Sequence, residues 1–250
     1  MEIFSEYFKK KHILSEVDAR IKLIVTLILL GMVLNYRGFF FPLIITMLCF
    51  LLLRMMKIPL KVFILRFSEP FFIALVLLIL KIFFTGEDVI FSLPFGIFTL
   101  TGHRDGLIEG LLIASRIMGA VSIVALLGFS TPFSEFIAGL SWFKVPKVFT
   151  EITMLAYRYV FVLIEDAMVI YNSQKNRLGY SNLRRGLNSF GILTGSLVLK
   201  AFEQSQNTAT AMIQRGYDGN MPMLKHQPFN LTEVAVSVLL IIALGVIWKI

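Results

Sequence analysis

Long apolar runs separated by short charged segments constrain this 250-residue chain more than any other feature. Four runs lie in the first half, at Leu23–Leu34, Phe39–Leu53, Pro70–Phe84 and Gly106–Phe129, and a fifth spans Leu231–Trp248. Hydrophobic residues make up 57% of the chain and charged residues 16%, against roughly 45–50% and about 25% in a soluble domain. A soluble fold of this size could not bury so much apolar surface, so we predict an integral membrane protein.

The distribution of Lys and Arg predicts the orientation of these runs in the membrane. With the N-terminus in the cytoplasm, the cytoplasmic segments 1–22, 54–66 and 129–230 hold five, four and ten of the 24 Lys and Arg residues. Basic residues concentrate on the cytoplasmic side of membrane proteins. This bias predicts the orientation of the five spans and explains the net charge of +8 without a nucleic-acid partner. Arg20 and Lys22 are expected to snorkel to the interface at the start of the first span.

The predicted fold is an all-α integral membrane protein with about five transmembrane helices and a cytoplasmic module of long amphipathic helices. Residues 1–129 form the N-terminal membrane part with four spans. Residues 130–230 form the cytoplasmic module, and residues 231–250 form the C-terminal transmembrane helix. Residues 85–106, which contain several Gly residues and a Pro, are expected to form an extracytoplasmic loop with one short hairpin.

The first amphipathic helix of the cytoplasmic module carries one polar stripe. Glu151, Arg158, Glu165 and Asn172 recur every seven residues, so they share a helix face with a drift of only about 20° per repeat. Asp166 lies beside this stripe. Burying Arg158, Glu165 and Asp166 at bilayer depth would cost several kcal/mol. We therefore predict a helix at the cytoplasmic face, although residues 152–171 are apolar enough to form a sixth span.

A second amphipathic helix is predicted over residues 186–215. Its polar positions recur at steps of three and four residues, as expected of one helix face: Ser196, Lys200, Glu203, Asn207, Thr210 and Gln214. Another face carries the small residues Ala201, Ser205 and Ala209, which permit close contact between helices. Two such helices predict a docking module that presents a surface to partners.

Residues suited to catalysis or metal binding do not cluster in this sequence. His12, His103 and His226 lie in three separate segments without a second ligand at metal-binding spacing. The chain has no GxxxxGK[ST] phosphate loop, so it is not expected to hydrolyse ATP. We predict no cofactor, no bound metal and no enzymatic activity. Glu109 and Arg116 lie seven residues apart in the fourth run, where a structural polar contact is favoured over an ion relay.

The two amphipathic helices end in similar ways. Arg177 is followed by Gly179, and Arg215 is followed directly by Gly216. One interpretation is structural, because Gly supplies the left-handed residue that ends a helix and Arg complements the negative end of the helix dipole. The other is functional, because an Arg at a rigid helix end can bind a carboxylate of a partner with two hydrogen bonds.

Several short motifs stand in a defined order along the chain. Residues 16–23 (Glu-Val-Asp-Ala-Arg-Ile-Lys-Leu) resemble a DPRxKL signature with Ala19 in place of Pro, and residues 157–165 resemble a YRY…L.E stretch. Two further segments stand in the positions of Ala-Arg-Gly-like motifs, namely residues 176–178 (Asn-Arg-Leu) and residues 214–216 (Gln-Arg-Gly). Together these motifs resemble the transmembrane T component of energy-coupling factor transporters, and within it the CbiQ type of cobalt importers.

The resemblance implies a division of labour between subunits. Two ABC-type ATPase subunits hydrolyse ATP, and a separate S-type, CbiM-like membrane subunit binds the substrate. The T component lies in the prokaryotic cell (inner) membrane and couples the other subunits. Arg177, Gly179, Arg215 and Gly216 are implied to contact the ATPases. Cobalt is the expected substrate, with nickel or a vitamin as the alternatives, because the residues that select the substrate lie on another polypeptide. The rival hypotheses are a self-contained secondary transporter or ion permease, which predicts internal repeats, and an intramembrane enzyme.

Overall fold

A computed structural model describes residues 17–56, 60–86, 89–95, 98–219 and 230–249. The helices in these ranges are α1 (Ala19–Asn35), α2 (Phe40–Met55), α3 (Leu60–Phe84), α4 (Arg104–Ser130), α5 (Phe133–Trp142), α6 (Lys147–Asn176), α7 (Leu183–Gln214) and α8 (Leu231–Lys249). Strands β1 (Val89–Phe95) and β2 (Phe98–His103) form an antiparallel hairpin between α3 and α4. The predicted all-α membrane fold is confirmed, and this hairpin lies in the segment expected to form a loop with one short hairpin.

The helices that match the apolar runs differ in length. In the described ranges three helices are long and apolar enough to cross a membrane, namely α3 from Lys61, α4 and α8, and α2 is a shorter apolar helix. Helix α1 has 17 residues, about 25 Å at the rise of an α-helix, against roughly 30 Å of bilayer hydrocarbon. The five-span topology stays a prediction.

The chain divides into two compact units. One comprises Met1–Gly139 with Gln227–Ile250, and the other comprises Leu140–His226. The first unit therefore contains α1 to α4 and α8, and the second contains α6 and α7. The start of α5 belongs to the first unit and its end to the second.

The core of the first unit forms where α1, α2, α4 and α8 meet. Its buried side chains are apolar and come from all four helices: Leu29, Val33, Phe41, Ile45, Cys49, Ile123 and Leu244. Helix α3 packs on α4 at Gly106, where a β-carbon would lie 2.1 Å from the Lys81 carbonyl oxygen. A side chain at position 106 would therefore separate the two helices.

A buried ionic cluster joins three helix ends in this unit. Asp18 caps α1 by accepting a hydrogen bond from the Arg20 backbone N–H at 2.9 Å, and it also binds the Arg20 guanidinium. The Lys22 ammonium donates to the carbonyl of Ser130, the last residue of α4, at 3.1 Å. The Asp18 backbone N–H donates to the Glu233 carboxylate in α8 at 3.0 Å. The prediction that Arg20 and Lys22 snorkel is wrong, because both are buried and bonded.

Glu109 and Arg116, the two charged residues within the fourth apolar run, contact neighbouring segments. Glu109 forms an ion pair with Lys81 of α3 at 2.9 Å, and the Arg116 guanidinium donates to the Tyr36 carbonyl after α1. Glu109 and Arg116 thus each meet a partner on another element rather than each other. The choice between a structural contact and an ion relay stays a prediction.

Cysteine labelling tests the predicted topology. Gly102 in β2 is buried, so we place the outer reporter at the exposed Arg104 and the cytoplasmic one at the exposed Ser181. With Cys49 replaced by Ala, a membrane-impermeant maleimide applied to intact cells should modify Arg104→Cys and spare Ser181→Cys. Labelling of position 181 from outside would contradict the five-span topology, and permeabilised cells, where both sites should react, serve as the control.

Candidate functional site

The first candidate docking end lies where α6 stops. Arg177 is the C-cap residue, and two backbone hydrogen bonds close the helix beyond it. Leu178 N–H donates to Lys175 O at 3.0 Å, and Gly179 N–H donates to Gln174 O at 2.9 Å. This is the Schellman pattern of helix termination. Its left-handed residue is Leu178, with φ of 59°.

The second candidate docking end repeats this geometry at the end of α7. Arg215 is the C-cap residue, Gly216 N–H donates to Ile213 O at 3.0 Å, and Tyr217 N–H donates to Met212 O at 3.0 Å. The left-handed residue is Gly216, with φ of 79°. Arg177 and Arg215 therefore occupy equivalent cap positions, and both are exposed. We call residues 177–179 the first tip and residues 215–217 the second tip.

The two glycines of the tips have different roles. The expectation of a left-handed glycine is confirmed for Gly216 and wrong for Gly179, because Leu178 takes that conformation in the first tip. Gly179 is required for space instead. A β-carbon there would lie 2.6 Å from the Ser189 hydroxyl oxygen, which donates to the Gly179 carbonyl at 2.9 Å. The one-residue offset of the glycine in the sequence corresponds to this difference between the two tips.

Helices α6 and α7 are joined by polar contacts along their whole length. The contacts lie seven or eight residues apart on α6, and their partners on α7 and in the second tip run in the opposite direction: Glu151–Tyr217, Tyr159–Thr208, Asp166–Lys200 and Gln174–Ser189. The two helices are therefore antiparallel. The tips lie at opposite ends of the pair, separated by about the length of the 32-residue α7, roughly 48 Å.

The predicted polar stripe of α6 is only partly used in this pairing. Of the stripe residues, Glu151 accepts a hydrogen bond from Tyr217, whereas Arg158 and Glu165 are exposed. Tyr159 and Asp166, each one residue beyond a stripe position, make the next two contacts with α7. The seven-residue spacing of these polar residues predicted the helix and its period, but it did not predict which residues form most of the face that meets α7.

Tyr217 ties the second tip back to α6. Its hydroxyl donates to the Glu151 carboxylate at 3.3 Å. Desolvation, together with the negative charge of Glu151, raises the pKa of the Tyr217 hydroxyl above its ordinary value. The hydroxyl therefore stays protonated, and remains a hydrogen-bond donor, throughout the physiological pH range.

One face of α7 is apolar and open. A β-carbon added at Gly191 or Gly195 would have no atom within 4 Å, and both glycines lie on the same face as large exposed side chains. We call this face the α7 stripe, formed by Leu187, Gly191, Gly195, Val198, Phe202, Ser205 and Ala209. All seven residues are exposed, so the described part of the second unit leaves this face uncovered. Such a stripe permits close approach of another apolar helix.

The described residues contain no group of three His, Cys, Asp or Glu side chains that could hold a metal ion. His103 lies 3.4 Å from the Ile82 carbonyl through Nδ1, whereas His12 and His226 lie outside the described residues. The three histidines of the chain are distributed over distant segments of the sequence.

Isothermal titration of the purified chain with cobalt or nickel tests the prediction that it holds no metal. We expect heats equal to those of a detergent blank, because a metal site of ordinary affinity needs three or more converging ligands. Stoichiometric binding at micromolar concentration would place the substrate site on this chain and contradict the prediction.

Comparison with known proteins gives a consistent result. The family model of CbiQ, described as a cobalt transport protein, matches residues 10–226 and includes both tips. A protein of Methanocaldococcus jannaschii is 32% identical over 213 residues, which cover 85% of this chain and 80% of the relative. The energy-coupling factor transporter transmembrane protein EcfT of Staphylococcus aureus is 28% identical over 208 residues, covering 78% and 76%. The cobalt transport protein CbiQ of Rhodobacter capsulatus is 32% identical over 99 residues, covering 40% and 41%.

Proposed function

Because the chain belongs to the CbiQ family of cobalt transport proteins, we propose that it is the transmembrane coupling subunit of an ATP-driven energy-coupling factor importer. The observation that carries this proposal is the pair of equivalent Arg caps at opposite ends of an antiparallel helix pair. Each tip exposes a guanidinium on a helix end that hydrogen bonds hold in place. The described part of the second unit thus offers two similar attachment points.

The tips suit two separate cytoplasmic partners. A guanidinium binds a carboxylate through two parallel hydrogen bonds, which fix both position and orientation. Tips separated by roughly 48 Å engage two subunits more readily than one, and a pair of ABC-type ATPases supplies two equivalent grooves. In this mechanism, closure of the ATPases on ATP moves Arg177 and Arg215, and the contacts between α6 and α7 carry the motion along the pair.

The α7 stripe suits the third partner, a membrane subunit that binds the substrate. Large apolar side chains that no described residue of the unit covers mark an interaction surface, and Gly191 and Gly195 allow a partner helix to approach closely. Movement of the tips would then shift the surface on which this subunit rests. We propose cobalt as the substrate, in keeping with the names of the CbiQ relatives, and we assign its selection to an S-type, CbiM-like subunit.

Isolation of the complex tests the proposal. The affinity-tagged chain, extracted from its native membrane in mild detergent, should retain two ABC-type ATPase subunits and show ATP hydrolysis. Mass spectrometry and native mass measurement identify the subunits and their number. Recovery of the chain alone, together with uptake by liposomes that contain only this chain, would support the self-contained secondary transporter or permease and contradict the coupling role.

A further inference from the structure

Leu178 in the first tip combines two unfavourable features. Its backbone is left-handed, with φ of 59°, a conformation that only Lys144 shares among the described residues other than glycine. A β-carbon disfavours this conformation because it lies too close to the following carbonyl oxygen. In addition, 68% of the Leu178 surface is exposed to solvent. Backbone strain and an exposed apolar side chain therefore coincide at one residue.

The helix end itself does not require leucine at this position. The Schellman hydrogen bonds are made by backbone atoms, and glycine or asparagine takes the left-handed conformation at lower cost. The second tip shows the alternative, because Gly216 closes α7 with the same two hydrogen bonds. Leu178 therefore adds a side chain that its own fold leaves largely uncovered.

The two tips also differ in what they present beside the arginine. In the first tip the exposed Leu178 side chain follows Arg177 directly. In the second tip Gly216 has no side chain, and the hydroxyl of Tyr217 is bonded to Glu151 of α6. The first tip therefore presents a charged side chain next to an apolar one, whereas in the second tip the residue after the arginine presents no side chain.

We infer that Leu178 enters an apolar pocket next to the carboxylate that receives Arg177 on one ATPase subunit. The partner surface is thus a groove with an acidic residue and an apolar wall, and the groove that receives Arg215 needs only the acidic residue. This inference rests on the proposed function and adds to it the chemistry of one contact. In the complex, burial of the Leu178 side chain then offsets the free-energy cost of its exposure and of its strained backbone.

Substitution of Leu178 by glycine separates stability from binding. Leu178→Gly removes the strain, so the midpoint of thermal unfolding of the isolated chain should stay the same or rise. Affinity for the ATPase subunits recovered with the wild-type chain should fall about tenfold or more, as expected for loss of a buried leucine side chain. Biolayer interferometry with the chain in nanodiscs and these purified ATPases as the probe measures the affinity.

Three further variants make the result specific. Leu178→Asn, which also tolerates the left-handed conformation, should weaken binding as glycine does, and Leu178→Met should keep wild-type affinity. Lys144→Gly relieves the same strain outside the tips, and we expect no change in ATPase affinity. Unchanged affinity in Leu178→Gly and Leu178→Asn would overturn the inference. It would also be overturned if these variants lost affinity only because they unfold at a lower temperature than the wild-type chain. A wild-type chain that binds no ATPase would contradict the proposed function instead.

Discussion

The double variant Arg177→Glu with Arg215→Glu is expected to insert and fold, to release the ATPase subunits and to lose all uptake. Each reversal places a carboxylate against the acidic residue that the proposed contact buries. Loss of one buried charge pair typically costs about 2–5 kcal/mol of association, a drop of roughly 30-fold or more in affinity. Arg215→Glu alone should weaken association, and the double variant should weaken it further. Co-purification of the ATPases and metal uptake measure the effect.

Two arginines near the first tip supply a matched control. Arg184 and Arg185 are exposed and belong to the first turn of α7. Reversal of either charge should have a mild effect, because exposed charges interact weakly through solvent. An arginine that only complements a helix dipole contributes about 0.3–1 kcal/mol. Full retention of the ATPases by the double variant would therefore show that Arg177 and Arg215 are helix caps and that docking occurs elsewhere.

The double variant Gly191→Leu with Gly195→Leu should detach the substrate-binding subunit while the ATPases stay bound. Two leucines in the α7 stripe would hold a partner helix away, and overpacking typically costs about 1–3 kcal/mol per site. The fold of the second unit should tolerate them, because no atom lies within 4 Å of either added β-carbon and leucine favours helix more than glycine does. Quantitative mass spectrometry of the purified complex measures the ratio of subunits.

The control adds the same apolar groups to another face of α7. Glu203→Leu with Thr210→Leu changes two exposed residues that lie outside the stripe, so the substrate-binding subunit should remain. Equal losses in both double variants would indicate a general effect of added leucine. Retention of the subunit by the Gly191 and Gly195 variant would rule out the α7 stripe as its docking surface.

The helices themselves could be predicted closely from the sequence. The fourth apolar run, Gly106–Phe129, corresponds to α4 (Arg104–Ser130), and the last run corresponds to α8 within one residue. Side chains in bilayer hydrocarbon must be apolar over a whole span, so the composition marks these segments strongly. The amphipathic period of residues 130–230 likewise predicted two long helices, which α6 and α7 confirm.

The contacts between distant segments could not be predicted in this way. Lys22 binds Ser130 across 108 residues and Asp18 binds Glu233 across 215, and no local period connects such pairs. The pairing of α6 with α7 involves Tyr159 and Asp166, one residue beyond the polar stripe of the sequence. The left-handed Leu178 was also missed, because leucine gives no local signal for that conformation.

The most direct test of the coupling role is cobalt uptake by proteoliposomes assembled from purified subunits. The chain is combined with the ATPases and the substrate-binding subunit that co-purify with it, and each component is omitted in turn. We predict uptake that requires ATP and every subunit, and none with the chain alone under an ion gradient. Cobalt uptake by the chain alone, driven by a proton or sodium gradient and independent of ATP, would contradict the coupling role.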